Sequence, residues 1–200
     1  MTNELLIPYL IVHAIQLMVK KNGERLDHHH IVLFSDGEKL TIFASTNYTA
    51  IMGTMAFDHN TGKLPDGFVA SFMPGSWGQI KEGPKGTDIP FTFETAESLG
   101  GPVVESAKAG IVGFNALDLA LDKVRIIGLS VARTLFPQET SGVAGDYDFS
   151  QLAQLEKMAA CLLGNKGREN IKINQNGTEP AKIDLCTNWQ AVITTLRLDN

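Results

Sequence analysis

The sequence has little of several features that mark common protein classes. It contains two cysteines in 200 residues, Cys161 and Cys186. No apolar run approaches the roughly 20 residues that a membrane-spanning helix needs, and the N-terminus lacks the basic region and cleavage site of a secretory signal. We therefore expect a cytoplasmic protein with no membrane partner, whose cysteines are free thiols rather than a disulfide.

Positive charge is also scarce. Lys and Arg number 17 against 22 Asp and Glu, so the formal net charge is −5. A protein that grips DNA phosphates directly is usually basic, because its affinity comes from releasing counterions. Tight direct binding of nucleic acid is therefore disfavoured. A protein that merely encloses a duplex escapes this objection, because topology rather than phosphate contact retains it.

Known catalytic motifs are missing as well. The sequence has no P-loop, dinucleotide fingerprint, C-x-x-C pair or nucleophile elbow. In the run of three histidines, His28 and His30 share one face of an extended strand, with Asp27 as a possible third ligand, but adjacent residues on a strand rarely converge on a metal. We predict a protein that is not an enzyme and holds no cofactor or metal. A metal-dependent intracellular hydrolase using the His28/His30 region is the alternative.

What the sequence does contain is a repeated local pattern of strand, breaker, helix, turn and further strands, which indicates one supersecondary unit used several times. The first copy predicts a strand over 5–8, a helix over 9–21, and strands over 31–34 and 40–44. Pro8 suits a first helical turn, and Asp36-Gly37 suits a hairpin turn with positive φ. The last copy predicts a helix over 151–163 and strands over 171–173, 181–185 and 192–198.

Weaker copies lie between these two. They predict helices over 77–81 and 116–123, the second with Asp118 and Asp122 on a hydrated face, while 130–147 has the composition of a long loop. The pattern predicts an α+β fold in which the two strong helices pack on antiparallel sheet. The residues expected to be buried are Leu10, Ile11, Ile15, Met18, Leu152, Leu155, Ala159 and Leu162.

Four fragments in order carry a family resemblance: the segments 36–46 (DGEKLTIFAST), 70–77 (ASFMPGSW), 113–121 (GFNALDLAL) and 149–198. Together they resemble the bacterial beta-type DNA sliding clamp, the ring-shaped processivity factor of replicative DNA polymerase, in a phage-like or shortened two-domain form. The resemblance implies a DNA-clamp-like fold, with a first domain over 1–107 and a second over 108–200.

The resemblance also implies a function. The protein would encircle or sit on double-stranded DNA weakly and topologically, as a homo-oligomer, and would bind polymerase or repair proteins through short peptide motifs. A clamp-derived interaction domain without ring formation is a further alternative. In the clamp reading, the polar stripes of the two helices face DNA: His13, Gln16, Lys20, Gln151, Gln154 and Lys157.

The family's partner pocket, carried over position by position, assigns a peptide site to this chain. Its residues are Ser45, Asn47, Tyr48, Ala50, Val192, Thr194 and Arg197. The sequence departs from the family pattern within this site, because Thr46 stands in the family's Thr-Asp-Gly turn and Thr195 replaces a proline of the last strand. These departures put the shape of the pocket in doubt.

Overall fold

The computed structural model describes residues 1–19, 29–58, 61–81, 87–110, 116–164 and 171–195. Within these ranges the helices are α1 (Tyr9–Val19), α2 (Pro74–Trp77), α3 (Leu129–Thr134) and α4 (Phe149–Leu162). The strands are β1 (Thr2–Pro8), β2 (His30–Asp36), β3 (Lys39–Ser45), β4 (Thr49–Ala56), β5 (Asp66–Phe72), β6 (Asp88–Ser98), β7 (Gly101–Ala109), β8 (Leu117–Asp118), β9 (Lys172–Asn174), β10 (Ala181–Cys186) and β11 (Trp189–Ile193).

The strands of the described residues join in one sheet, in the order β1-β6-β7-β5-β2-β3-β4-β11-β10-β9, with β8 paired to β7. Neighbouring strands run antiparallel except β5 and β7, which are parallel and share the single pair Val69 and Val103. Aromatic rings bridge this seam instead: Phe68 lies 5.1 Å and Phe72 6.5 Å from Phe93, centroid to centroid. The predicted α+β class with helices on antiparallel sheet is confirmed.

Helices α1 and α4 pack against each other on one face of the sheet, here called the helix face. Gln154 on α4 donates its side-chain amide to the carbonyls of Leu17 and Met18, and the Cys161 thiol donates to the Leu10 carbonyl at 3.3 Å. Pro8 precedes α1 as the sequence predicts, and the Asp148 carboxylate caps α4 by accepting from the Ser150 N–H at 2.7 Å. The two strong predicted helices are therefore confirmed, although Leu10 is 42% exposed rather than buried.

The opposite face of the sheet, the outer face, carries its own apolar cluster. Side chains alternate along a strand, so Ile42 and Ile51 point to the helices while their neighbours point outward. The outward residues pack against Ala132 and Phe136, which belong to residues 119–148, the crossing segment between β8 and α4. The cluster consists of Val32, Phe34, Phe43, Ala50, Met52, Ala132, Phe136 and Val192.

The structure corrects the weaker sequence predictions. The helix expected over 116–123 is absent, because its backbone pairs with strands: the Leu119 N–H donates to the Ala107 carbonyl at 2.8 Å and the Asp122 N–H to the Ser71 carbonyl at 2.9 Å. Residues 119–122 therefore lie between β7 and β5, and sheet pairing overrides helical periodicity. The helix expected over 77–81 lies instead at α2, and the expected loop over 130–147 contains most of α3.

The predicted domain boundary at 107/108 falls near the end of β7 and stays a prediction. Contacts join residues from its two sides, because α1 packs on α4 and β4 pairs with β11. The last strand ends at Ile193 in the described residues, short of the predicted 192–198. The hairpin prediction is confirmed, since β2 and β3 pair in register around Gly37, whose φ is +79°.

We expect Leu155→Ala to lower the free energy of unfolding by about 2–5 kcal/mol, because Leu155 is 1% exposed within the main core and its truncation leaves a cavity. Urea unfolding followed by circular dichroism measures this loss. Leu163→Ala is the control, since Leu163 follows α4 and is 49% exposed. Equal losses for the two variants would contradict the packing of α4 on the sheet.

Candidate functional site

Gln16 occupies a structural position rather than a DNA-facing one. It is 1% exposed, and its side-chain amide donates to the carbonyls of Trp77 at 3.1 Å and Ile80 at 2.7 Å. The Trp77 indole N–H donates back to the Val12 carbonyl at 3.4 Å. Together these bonds fasten α1 to residues 74–81. The prediction that Gln16 faces DNA is therefore wrong, because the helix flank that looked polar in sequence carries a neighbouring segment.

The predicted DNA-facing residues of α4 divide in the same way. Gln151 is 6% exposed and its side-chain oxygen accepts from the Thr49 hydroxyl at 3.5 Å, so this residue also is corrected to a buried role. Gln154 is partly buried because it bonds the end of α1. Lys157 is exposed. Lys20 lies outside the described residues, so Lys157 and the half-buried His13 remain candidates for a DNA-facing surface.

His13 borders an open cavity of about 530 Å³ between α1 and residues 78–81. Its ring stacks on Tyr9 with centroids 5.6 Å apart. Its Nδ1 atom is buried and has no hydrogen-bond partner among the described residues. Gln79 and Lys81 line the same cavity, so an imidazole, an amide and an ammonium group share one depression beside α1.

Three residues of the predicted peptide site lie side by side on neighbouring strands. Ser45 is paired with Ala50 across β3 and β4, and Ala50 with Val192 across β4 and β11. All three are buried, and Ala50 and Val192 belong to the cluster that Phe136 covers. The resemblance therefore places neighbours together correctly, but the crossing segment fills the depression that they were expected to line.

The remaining predicted pocket residues form a surface rim beside that cluster, except Arg197, which lies outside the described residues. Asn47 and Thr194 are exposed and Tyr48 is 50% exposed. The Thr194 N–H and hydroxyl both donate to the Tyr48 carbonyl, at 2.9 and 3.3 Å. The Thr46 hydroxyl accepts from the N–H groups of Tyr48 and Thr49, so the substituted turn is held by its own side chain.

A polar cavity of about 390 Å³, the outer-face cavity, opens at the other end of the β4 and β11 pair. Sequence reasoning did not find it, because its residues come from distant parts of the chain. Its lining includes Lys39, Thr41, Met52, Thr54, Arg133, Asp184, Cys186 and Gln190. Burial raises the pKa of the Cys186 thiol, which keeps it protonated at neutral pH and makes it a poor nucleophile.

The acidic and histidine clusters offer no catalytic arrangement among the described residues. His28 and Asp27 lie outside the described ranges, His29 is fully buried, and no group of three or more potential ligands in the described residues is arranged to hold a metal ion. Asp122 is 3% exposed rather than hydrated: although burial alone raises its pKa, hydrogen bonds from the N–H groups of Arg125 and Val124 and from the Arg125 side chain leave the pKa below its usual value. This carboxylate fixes a turn of the crossing segment.

Among the described residues, none of the helices is long and apolar enough to cross a membrane.

Comparison with solved structures finds sliding clamps across the chain. The DNA polymerase III subunit beta from Pseudomonas aeruginosa is 11% identical with a TM-score of 0.54, covering 100% of this chain and 65% of that chain. The beta subunit from Thermotoga maritima is 8% identical with a TM-score of 0.56, at the same coverage. A Helicobacter pylori beta clamp bound to a DNA ligase peptide is 9% identical with a TM-score of 0.56, covering 98% and 66%.

At these identities the likeness shows the fold, and the α+β sliding-clamp fold that the sequence resemblance predicts is confirmed. The chain spans about 65% of the length of the clamp subunits that it matches. No protein-family model matches the sequence, and no curated protein matches it significantly.

We expect Gln16→Leu to lower the free energy of unfolding by about 1–3 kcal/mol, because the buried carbonyls of Trp77 and Ile80 lose their donor. Thermal unfolding measures the change. Lys157→Gln is the control, because Lys157 is exposed and its replacement leaves the packing intact. A Gln16→Leu protein as stable as the wild type would contradict the structural role of this side chain.

Proposed function

We propose that this protein is a sliding-clamp-like processivity factor that encircles or sits on duplex DNA as a homo-oligomer and docks short peptide motifs of polymerase or repair proteins. The observation that carries the proposal is the fold likeness to sliding clamps over 98–100% of the chain. One of these neighbours is described with a DNA ligase peptide bound. The residues bring no catalytic arrangement that favours an enzyme instead.

The charge of the chain favours retention by enclosure over adhesion. With a net charge of −5, long-range electrostatics repel a duplex, and the candidate contacts on the helix face are few. His13 and Lys157 are the described residues of the predicted set that remain accessible in part, and both sit on the helix pair. Contacts of this kind position a duplex weakly and are screened by salt.

The outer face supplies the partner side of the proposal. The rim of Asn47, Tyr48 and Thr194 presents one half-exposed aromatic ring with hydrogen-bonding groups around it, next to an apolar cluster. An aromatic anchor beside polar groups is typical of sites that bind extended peptides. Because the crossing segment fills the space over Ala50 and Val192, a partner peptide would bind at this rim rather than within a deep pocket.

We expect the protein, once assembled on DNA, to remain much longer on circular than on linear duplex, because a ring leaves linear DNA through its ends. Retention on nicked circular DNA, on the same DNA linearised, and on linear DNA with both ends blocked by bound protein measures this directly. Blocking the ends should restore retention to the circular level.

Equal retention on circular and open linear DNA would contradict encirclement. The mass of the assembly in solution separates the remaining possibilities, since a clamp-derived interaction domain without a ring would stay monomeric and still bind peptide. Rising salt should weaken residence on open linear DNA more than residence on closed circles, because only the former depends on ionic contacts.

We expect Tyr48→Ala to weaken binding of the DNA ligase peptide by about tenfold or more, because a half-exposed aromatic anchor is lost. Fluorescence anisotropy with the labelled peptide measures the affinity, which we expect to be micromolar, about −8 kcal/mol. Val131→Ala is the control, an exposed apolar residue of α3 outside the rim. A substitution at buried Ala50 is unsuitable, because a larger side chain would overpack the cluster.

Unchanged affinity in Tyr48→Ala, with wild-type peptide binding intact, would show that the rim is not the docking site. Absence of any peptide binding by the folded wild-type protein would contradict the partner half of the proposed function.

A further inference from the structure

The outer-face cavity is built from a row of side chains on four adjacent strands. Thr41 and Thr54 pair across β3 and β4, while Gln190 pairs with Met52 on one side and with Asp184 on the other. Alternation along each strand points all of these side chains outward, because Ile42, Ile51, Ile183 and Ala191 belong to the helix-face core. The floor of the cavity is therefore the outer surface of the sheet.

Local irregularities keep this floor open. The pairing of β10 with β11 shifts register between Asp184 and Cys186, and Asn188 in the following turn has a φ of 65°. Gly53 is required here, because a Cβ at this position would overlap the indole of Trp189 on the other side of the strand. Bulges of this kind redirect side chains and often lie beside binding sites. The volume, about 390 Å³, lies within the range of ligand sites.

The charges around the cavity favour an anion. Arg133 on α3 is exposed and takes part in no salt bridge among the described residues. Lys39 approaches Asp36 at 3.7 Å, but both side chains are about half exposed, so this pair holds the ammonium weakly. Asp184 is the one carboxylate of the lining and accepts from the Asn174 amide at 3.2 Å. Two cations against one anion give the cavity a local positive charge in an acidic protein.

We propose that the outer-face cavity binds an acidic side chain of a partner segment, with Arg133 and Lys39 as its cationic contacts and the two threonines and Gln190 as hydrogen-bond donors. This inference rests on the proposed function in one respect, because it assigns the carboxylate to a partner docked on the outer face. It adds a second point of recognition to the rim and a requirement for charge in the partner.

The spacing of the two points follows from the strand between them. Ala50, beside the rim, and Thr54, in the cavity, are four residues apart on β4, which corresponds to roughly 13 Å at about 3.3 Å per residue. An extended peptide covers this distance in four or five residues. A partner segment is therefore expected to carry an apolar anchor and a glutamate or aspartate four or five residues away.

Labelled DNA ligase peptides test this inference when they are extended at either end by a Gly/Ser spacer that places one residue four or five positions from the anchor. That residue is glutamate, glutamine or phosphoserine in three otherwise identical probes. We expect the glutamate probe to bind the wild-type protein about two- to fivefold more tightly than the glutamine probe, an advantage that falls as salt rises.

Four variants locate the effect. Arg133→Gln should abolish the advantage of the glutamate probe, and Arg133→Lys should retain part of it, because the charge remains. Asp184→Asn should increase the advantage, since a like charge leaves the lining. Lys182→Gln is the matched control, because Lys182 points outward from the same strand as Asp184 but does not line the cavity. Circular dichroism verifies that all four variants fold.

A second measurement reads the cavity without an anchor. A capped six-residue Gly/Ser peptide with two central glutamates is titrated into labelled protein, and the amide signals of Gly53, Gln190 and Arg133 should move while those of Gln79 and Lys81 stay. The glutamine version should move none of them. This arm decides the inference even where the ligase peptide fails to bind, an outcome that would count against the proposed function instead.

The inference is overturned if the wild-type protein binds glutamate and glutamine probes equally and the short acidic peptide leaves the cavity signals unmoved. It is equally overturned if the advantage survives in Arg133→Gln and in Lys39→Gln, because the charge would then be read elsewhere. A response confined to the phosphoserine probe or to inorganic phosphate overturns the assignment to a carboxylate.

Discussion

The structure depends on one constraint, which is that its central strands are buried on both faces. Strands β2 and β3 are buried at almost every position, so each face of the sheet must carry a cover. The helix pair covers one face and the crossing segment the other. This division assigns the proposed tasks to opposite sides of the molecule, with duplex DNA at the helices and protein partners beside the crossing segment.

The sequence predicts well what depends on neighbours along the chain. The hairpin around Gly37 follows from a local turn requirement, and α1 and α4 follow from long periodic apolar patterns with Pro8 or Asp148 at their starts. It fails where distant backbone decides the outcome. Residues 116–123 have helical spacing, yet their N–H groups pair with β5 and β7, and Gln16 looks polar on a helix whose flank is covered by residues 74–81.

The candidate site was predictable to the same extent. The resemblance brings Ser45, Ala50 and Val192 together correctly, because strand pairing in a shared fold is a property of the backbone. It does not reveal that Phe136 lies over them, since the crossing segment has no counterpart in the matched fragments. The outer-face cavity was missed for a related reason: Lys39, Arg133 and Asp184 are far apart in sequence and no local pattern connects them.

The seam between β5 and β7 gives the sheet an unusual mechanical character. Because one backbone pair and the rings of Phe68, Phe72 and Phe93 hold it, its strength comes mainly from apolar contact rather than from a ladder of hydrogen bonds. Apolar contact is non-directional, so two plates joined this way can slide by small amounts without breaking specific bonds, whereas a laddered seam would resist until it tore. Such adhesion also weakens on cooling. We therefore expect the curvature of this sheet to be softest at the seam, and softer in the cold.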